Sequence, residues 1–324
     1  RLLAALRASL TGDGPAVHPV AAALPGLPTT VPRRIAAVVG TSGSTGRPKL
    51  VLLSTSSLLA AAAAAESALG GPGQWVLALP GQWIAGVGVL VRSITMATEP
   101  VVDAGSGMNP ETFTAAVAKL DPHGRRFTSL VPAQLARLLG DPRSLVALQS
   151  FDRILVGGQA AGRELIAAAR AAGVSVTTTY GGTETAGGVV WEGVPIGDTS
   201  AAMVDGRIHL RGSSLADGYL DDAERGAVAF PTLDDGLRWY RTDDAGRFAD
   251  DGRLVVTGRL DDTIVSGGIK LDLLEVAAVL RGMPEAGDVA VVAIDAARWG
   301  RAPAAVVSGT VDVASARDAL VAAL

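Results

Sequence analysis

The feature that most constrains the fold is a regular alternation of short β-rich runs with helical runs between residues 35 and 180. Alternation of this kind is typical of parallel sheets covered by helices. The first β-rich run is followed by a Gly/Ser/Thr loop and an alanine-rich helix that begins near Ser54, the order expected of a phosphate-handling α/β unit. The β-rich runs are residues 35–39, 75–79, 127–130, 154–156 and 174–180, and the other helical runs are residues 84–94, 132–139 and 164–172.

The pattern changes after Gly188. Short β-rich runs at residues 202–204, 207–211 and 254–257 are interspersed with Asp-Gly pairs, which favour antiparallel hairpins. Beyond Arg259, a strand, a helix and a second strand indicate a small additional domain. We therefore predict an α/β fold: a large N-terminal domain of doubly wound α/β sheets plus a β-rich subdomain (residues 1–258), and a small, incomplete α+β C-terminal domain (residues 259–324).

Composition excludes several classes of site. The chain has no cysteine, so it carries no disulfide, thiolate metal site or cysteine nucleophile, and this suits a cytoplasmic location. Its three histidines lack metal-ligand spacing. The formal net charge of −4 gives no general attraction to nucleic acid or anionic lipid, and the most apolar run, residues 58–65, is too short to span a bilayer. We expect neither nucleic acid partners nor membrane insertion.

The strongest local signal is the run from Thr41 to Lys49, which combines three glycine or proline breaks with four hydroxyl side chains. Glycines let the backbone approach an anion, while hydroxyl and amide groups donate to phosphate oxygens and Lys49 adds a positive charge. The run is not a Walker A loop, because Arg47 and Pro48 interrupt the required Gly-Lys-Ser/Thr order. A loop of this composition is also compatible with a plain surface connection, but the strand before it and the helix after it favour a phosphate site.

The same run resembles the phosphate loop of the adenylate-forming superfamily, which includes acyl-CoA synthetases, peptide-synthetase adenylation domains and luciferases. Later segments resemble further motifs of that superfamily in the same order, so the resemblance extends over residues 38–307. Other segments are similar to the o-succinylbenzoate–CoA ligases of menaquinone biosynthesis in their short actinobacterial form. The superfamily-like segments are residues 180–184, 240–244, 258–262 and 266–270, and the ligase-like segments are residues 79–93, 129–139, 180–196 and 214–219.

The resemblance implies an AMP-forming acid–thiol ligase with ATP, Mg²⁺ and coenzyme A. A small carboxylic acid, here o-succinylbenzoate, would attack the α-phosphorus of ATP to give an acyl-adenylate and pyrophosphate, and the thiol of coenzyme A would then take the acyl group and release AMP. A homodimer is left open. Two alternative hypotheses are also enzymes: a different acyl-CoA synthetase and a standalone amino-acid adenylation domain. A third hypothesis, from a different functional class, is a nucleotide-binding homologue that has no catalytic activity.

Roles for individual residues also follow from the resemblance. Thr183 would donate to the α-phosphate, Glu184 would bind Mg²⁺, and Asp244 would accept from the ribose hydroxyls. Taken alone, Thr183 and Glu184 after a strand are more often a helix cap, and Asp244 is typical of an ordinary turn. Lys49, Thr183 and Glu184 are the implied catalytic residues. The implied nucleotide-binding residues are Thr41, Ser42, Gly43, Ser44, Thr45, Gly46, Lys49, Gly158, Tyr180, Gly181, Thr183, Asp244 and Arg259.

The acid site and the moving parts are implied in the same way. We take Arg137 as the candidate cation for the second carboxylate of o-succinylbenzoate, although an ordinary surface arginine fits its helix as well. Asp261 would be the hinge of the small domain. The implied acid-binding residues are Gln82, Arg137, Gly182 and Gly188, and the residues that would line the thiol tunnel are Gly267 and Gly268.

One departure from the superfamily concerns its C-terminal lysine. Adenylation in the superfamily uses a lysine near the end of the chain, and no lysine follows Lys270 here. We expect that the sequence stops short of this element. The missing lysine is the one feature that favours the non-catalytic reading. No aspartate stands in residues 79–92 or 129–137 to pair with an amino group, which disfavours the amino-acid reading.

Overall fold

The computed structural model describes residues 1–20, 27–28, 30–41, 49–260, 263–266, 268–284, 286–296 and 299–323. The chain divides into two compact units. The first unit consists of Arg1–Ala202, His209–Arg241 and Ala249–Leu254, and the second of Met203–Ile208, Thr242–Phe248 and Val255–Leu324. The domain boundary placed after residue 258 stays a prediction. No helix within the described ranges is both long enough and apolar enough to cross a membrane.

The secondary structure alternates between helices and strands up to residue 195 and is richer in strands beyond it. In chain order the first part contains α1 (Leu2–Thr11), β1 (Ile35–Gly40), β2 (Leu50–Ser54), α2 (Thr55–Leu69), β3 (Gln74–Leu77), α3 (Ile84–Thr95), β4 (Val101–Val102), α4 (Pro110–Val117), β5 (Arg126–Leu130), α5 (Pro132–Leu139), α6 (Pro142–Gln149), β6 (Arg153–Val156), α7 (Arg163–Ala171), β7 (Val176–Gly182), a 3-10 turn (Thr183–Thr185), β8 (Gly187–Trp191) and β9 (Val194–Pro195). The second part contains β10 (Ser200–Val204), β11 (Arg207–Arg211), β12 (Gly218–Tyr219), α8 (Ala223–Ala229), β13 (Tyr240–Phe248), β14 (Leu254–Arg259), β15 (Thr263–Ser266), β16 (Ile269–Asp272), α9 (Leu273–Arg281), β17 (Val289–Ala296), β18 (Gly300–Val307) and α10 (Val313–Ala323).

A seven-stranded sheet in the order β4-β3-β5-β6-β7-β8-β9 is the main element of the first unit. The pairs from β4 to β7 are parallel, and β7-β8 and β8-β9 are antiparallel. Successive residues of a strand point to opposite faces, and both faces are buried here. Val76 and Ile154 pack into one core with Leu138, whereas Trp75 and Leu155 pack into another with residues of α2 and α3. The predicted α/β class with helices on both sides of a mostly parallel sheet is confirmed.

The β-rich run at residues 35–40 forms a different arrangement from the one predicted. It pairs antiparallel with β2, and β12 pairs with the other edge of β2, giving a three-stranded sheet. The loop from Thr41 to Lys49 therefore joins two strands rather than a strand and a helix. β2 was missed because a run of only four apolar residues has the same pattern as the first turn of a buried helix. The helix start is as predicted, because Ser54 caps α2 by accepting from Ser57 N at 3.2 Å.

The hairpin predicted at Asp205-Gly206 is confirmed. Both residues have positive φ (51° and 74°), as a two-residue turn of this type requires. The strands β10, β11, β13 and β14 form a sheet in that order, and part of each strand belongs to the second unit. The remaining strands of this unit form the sheet β16-β15-β18-β17, which packs against α9 around Val276, Leu280 and Val289.

We expect Leu138→Ala to destabilise the first unit. Leu138 is fully buried in α5, the helix that follows β5. Truncating its side chain leaves a cavity, which should lower the free energy of unfolding by about 2–5 kcal/mol. Urea denaturation followed by tryptophan fluorescence would measure this, since four of the five tryptophans lie in the first unit. Val146→Ala is the control, because Val146 is 67% exposed and should change the unfolding free energy by less than about 0.5 kcal/mol. Equal effects of the two substitutions would contradict the packing described.

Candidate active site

A cavity of about 100 Å³ lies at the carboxyl ends of β5, β6 and β7. This edge is where an open parallel sheet binds its ligands, because the loops after the strands converge there. One wall is a face of α3 made by Ile84, Gly88 and Arg92, which are spaced four residues apart. Leu130 and Leu155 add apolar surface from the strands. The cavity is therefore mostly apolar, with a single cation on its wall.

Glycines line the other side of the cavity. Gly181 has a φ of 152°, and a β-carbon there would lie 2.2 Å from the carbonyl oxygen of Gly187, so no other residue fits without moving the backbone. A β-carbon on Gly157 would lie 2.4 Å from Thr179 Oγ1. The predicted site residues that the structure brings together at this cavity are Gly158, Gly181, Gly182 and Gly188.

Arg92 is the charged residue of this cavity, and it is half-buried with a fully enclosed Nε. Its guanidinium carbon lies 4.3 Å from the ring centroid of Trp75, and Nη2 donates to Ser129 Oγ at 3.4 Å. Within the described part of the chain, no carboxylate pairs with Arg92 and nothing accepts a hydrogen bond from its Nε. Burial lowers the pKa of Arg92 to about 10, which leaves the guanidinium charged at neutral pH. A positive charge that has no counter-ion among the described residues thus faces an apolar cavity.

Two of the predicted acid-binding residues lie elsewhere. Arg137 is exposed in the last turn of α5, and Gln82 is exposed just before α3. Neither belongs to the lining of the cavity. The buried residues of α5 are Pro132, Gln134, Leu135 and Leu138, and Arg137 lies on the exposed side of this helix.

Thr183 and Glu184 form the 3-10 turn between β7 and β8, and both are buried. Glu184 Oε1 accepts from the Tyr219 hydroxyl at 2.9 Å, whereas no described residue donates to Oε2. Among the residues that the structure describes, no group of three or more His, Asp or Glu side chains is arranged to hold a metal. A single carboxylate oxygen nevertheless fits Mg²⁺, which binds one or two carboxylates and takes its other ligands from water and substrate phosphates.

The two ends of the predicted phosphate loop are joined by a hydrogen bond from Thr41 N to Lys49 O at 2.9 Å. Thr41 Oγ1 is buried, and it has no hydrogen-bond partner among the described residues. Lys49 Nζ lies 5.9 Å from the ring centroid of Tyr219. An enclosed hydroxyl and a nearby ammonium fit a phosphate group. The predicted loop residues Ser42, Gly43, Ser44, Thr45 and Gly46 lie outside the described residues.

Other predicted residues lie in β7 and in the second unit. Tyr180 is half-buried between Thr179 and Gly181, which both line the cavity, but it is not itself part of the lining. In the second unit, Arg259 Nη1 lies 3.7 Å from Asp244 Oδ1.

The predicted hinge and thiol tunnel are only partly visible. Gly268 has a φ of 87°, which favours glycine. Asp261 and Gly267 lie outside the described residues.

Four residues near the candidate site have no role in the sequence-based prediction: Arg92, Trp75, Ser129 and Tyr219. A signal was present for Arg92, because it is the only charged residue of the otherwise apolar α3. A lone arginine on an apolar helix costs free energy unless its charge is used, so this pattern points to a ligand. Nothing in the sequence pattern pointed to Tyr219, whose link to Glu184 arises only when β12 joins β2.

Comparison with known proteins agrees with this geometry. The family model described as AMP-binding enzyme matches residues 12–220. A probable 2-succinylbenzoate–CoA ligase of Mycobacterium tuberculosis is 42% identical over 280 residues, which is 85% of this chain and 71% of that protein. The 2-succinylbenzoate–CoA ligase of Escherichia coli is 32% identical over 288 residues, 86% of this chain and 59% of that protein.

Solved structures give the same result. The o-succinylbenzoate CoA synthetase of Bacillus subtilis, in complex with the acyl-adenylate intermediate OSB-AMP, superposes with a TM-score of 0.76 at 25% identity, covering 90% of this chain and 63% of that chain. The chain thus spans 59% of the E. coli protein and 63% of the B. subtilis structure, less than two thirds of each. Both the extent of the family match and the identity to the mycobacterial protein show that the chain belongs to the AMP-binding enzyme family.

Proposed function

We propose that the chain carries out the adenylating chemistry of an o-succinylbenzoate–CoA ligase. In this reaction a carboxylate of o-succinylbenzoate attacks the α-phosphorus of ATP, the bond to the β-phosphate oxygen breaks, and pyrophosphate leaves. The thiol of coenzyme A then attacks the carbonyl carbon of the acyl-adenylate, and AMP leaves. The relatives named as 2-succinylbenzoate–CoA ligases support this choice among the AMP-binding enzymes.

The single observation that carries the choice of acid is the guanidinium of Arg92 in an apolar cavity, where no carboxylate of the described residues pairs with it. o-Succinylbenzoate has two carboxylates, of which one becomes the acyl-adenylate and the other stays ionised. The ring and chain of such an acid suit apolar walls, and the remaining carboxylate needs a cation inside them. The Coulomb attraction between opposite charges is stronger away from water, where the dielectric constant is low, and Arg92 is already desolvated before the acid binds. Arg92 supplies that cation.

The nucleotide would be held by hydroxyl groups and by one ammonium group. Thr41 Oγ1 and Lys49 lie at the ends of the phosphate loop, and the Thr183 hydroxyl stands beside the cavity edge in the 3-10 turn. Glu184 would hold Mg²⁺, which when bound neutralises charge on the phosphates. The protein acts by position and electrostatics, since the substrate carboxylate is itself the nucleophile.

The second unit would contribute the ribose contacts and the thiol step. Asp244 has a half-buried carboxylate that suits paired hydroxyl donors, and Arg259 lies close enough to orient it. The hinge at Asp261, the tunnel at Gly267 and Gly268, and the domain boundary near residue 259 belong to this proposal. The placement of Arg92 disfavours an amino-acid adenylation domain, whose substrate would bring a positive charge.

We expect Arg92→Met to lower kcat/KM for o-succinylbenzoate by roughly 30-fold or more, because the ring carboxylate loses its partner away from water. The same substitution should leave benzoylpropionate, the matched keto acid without the ring carboxylate, unchanged or improved. Pyrophosphate release measures both.

Arg137→Met is the matched control for this experiment, since it removes an exposed arginine from a neighbouring helix. It should leave kcat/KM unchanged for both acids. A loss of o-succinylbenzoate turnover with Arg137→Met but not with Arg92→Met would reverse the assignment and restore Arg137 as the anchor.

We expect Glu184→Gln to raise the Mg²⁺ concentration needed for half-maximal ATP–pyrophosphate exchange by about 10- to 100-fold, because a neutral amide is a poor ligand for a hard cation. Glu192→Gln is the control. This substitution also removes one negative charge. The Glu192 carboxylate already accepts hydrogen bonds from Arg170 and Thr178, so the Mg²⁺ dependence should not change. Wild-type Mg²⁺ dependence in the Glu184 variant would rule out its role as a metal ligand.

A further inference from the structure

We propose that Trp75 is a positioning residue that holds the Arg92 guanidinium ready for the second carboxylate and thereby sets the preference for dicarboxylic over monocarboxylic acids. This inference rests on the proposed function, in which Arg92 is the anchor. It concerns a residue that does not line the cavity and would act only through Arg92.

The guanidinium of Arg92 is held between two surfaces. Its Cζ lies 4.3 Å from the Trp75 ring centroid. On another side it lies against Gly88, where an added β-carbon would be 3.4 Å from Nη1 and 3.7 Å from Cζ. These are ordinary van der Waals distances, so the guanidinium lies against α3 at Gly88, one turn earlier on the helix. The third contact is a hydrogen bond from Arg92 Nη2 to Ser129 Oγ.

Trp75 is itself fixed by its surroundings. It is fully buried in β3, its Nε1 donates to Met96 Sδ at 3.5 Å, and its ring packs against Phe127 at a centroid distance of 5.3 Å. The indole therefore has a single orientation, and its ring is a rigid surface for Arg92. A rigid support matters because a free arginine side chain loses several rotamers when it binds an anion.

The chemical nature of this support is what connects it with specificity. A cation taken out of water needs stabilisation, and the usual partner is a carboxylate. A carboxylate beside Arg92 would neutralise the charge and compete with the substrate for its N–H groups. The face of an indole stabilises a cation through its quadrupole but carries no net charge and accepts no strong hydrogen bond. Trp75 can hold Arg92 in place and still leave its charge available to the acid.

The test compares kcat/KM for o-succinylbenzoate with that for benzoylpropionate in Trp75→Phe, Trp75→Leu and Arg92→Met. The ratio of the two values should fall by roughly 3- to 30-fold in Trp75→Leu, which has no ring face, and by less in Trp75→Phe, which keeps one. Calorimetry gives the ratio of the dissociation constants of the two acids without turnover, and this ratio should show the same loss of preference for the dicarboxylic acid. Phe113→Leu is the control, since Phe113 is equally buried but packs in the other core of the sheet.

The outcomes separate the two proposals. If Trp75→Leu lowers both values equally and leaves the ratio at its wild-type level, as Phe113→Leu should, Trp75 is only part of the core and the inference is overturned. A ratio that falls with Arg92→Met but not with Trp75→Phe or Trp75→Leu overturns the role of Trp75 and leaves the proposed function intact. If Arg92→Met itself leaves the ratio unchanged, the anchor assigned in the proposed function is wrong, and Trp75 cannot act through it. Should Trp75→Leu fail to fold, Trp75→Met takes its place, since it also has no ring face but fills more of the space, and a wild-type ratio in Trp75→Met would overturn the inference.

Discussion

The candidate site depends on the parallel pairing of β3, β5, β6 and β7. Parallel strands require crossover connections, which cover both faces of the sheet with helices and bring the carboxyl ends of the strands to one edge. Ser129, Gly157 and Thr179 meet at the same cavity for this reason, although they are far apart in the sequence. The same constraint places α3 against that edge, so one face of an otherwise core helix becomes a wall of the cavity.

The reversal of direction after β7 gives the site its second half. The 3-10 turn that carries Thr183 and Glu184 lies where the parallel part of the sheet ends and β8 runs back. Thr185 closes this turn, because its hydroxyl accepts from Gly182 N and donates to Gly187 O at 2.9 and 2.7 Å. The glycines beside it allow β7 and β8 to approach closely. Thr183 and Glu184 are thus held at the cavity edge by short-range backbone geometry.

The sequence alone predicts the parts of this fold that depend on local pattern. The strand–helix alternation and the hairpin at Asp205-Gly206 follow from residue periodicity and turn chemistry, and both are observed. β2 was not predicted, because its pairing with β1 and β12 is a tertiary event. β13 was not predicted either, because its polar residues and Gly246 resemble a loop.

The choice between Arg137 and Arg92 shows the limit of pattern reasoning at the site. In α5 apolar residues also stand on both sides of Arg137 in the sequence, and the structure places Arg137 on the exposed side of the helix, away from the buried residues Leu135 and Leu138. In α3 nearly every residue is apolar, and no helical periodicity shows which side a charged residue faces. Only the packing of α3 against the sheet directs Arg92 into the cavity.

The partners of the charged residues distinguish groups directed at a ligand from groups that stabilise the fold. Glu192 is paired with Arg170 at 2.9 Å, and Asp243 with Arg207 at 3.2 Å, so these charges are largely neutralised within the protein. Arg92 and Glu184 are held instead by uncharged groups: an indole ring and a serine hydroxyl for the first, and a phenol for the second. Uncharged partners fix the position of a charge without cancelling it, so its field remains available to a ligand of opposite sign. Under the proposed function, a site built this way costs stability in the empty protein, and a ligand of opposite charge at each group would offset that cost.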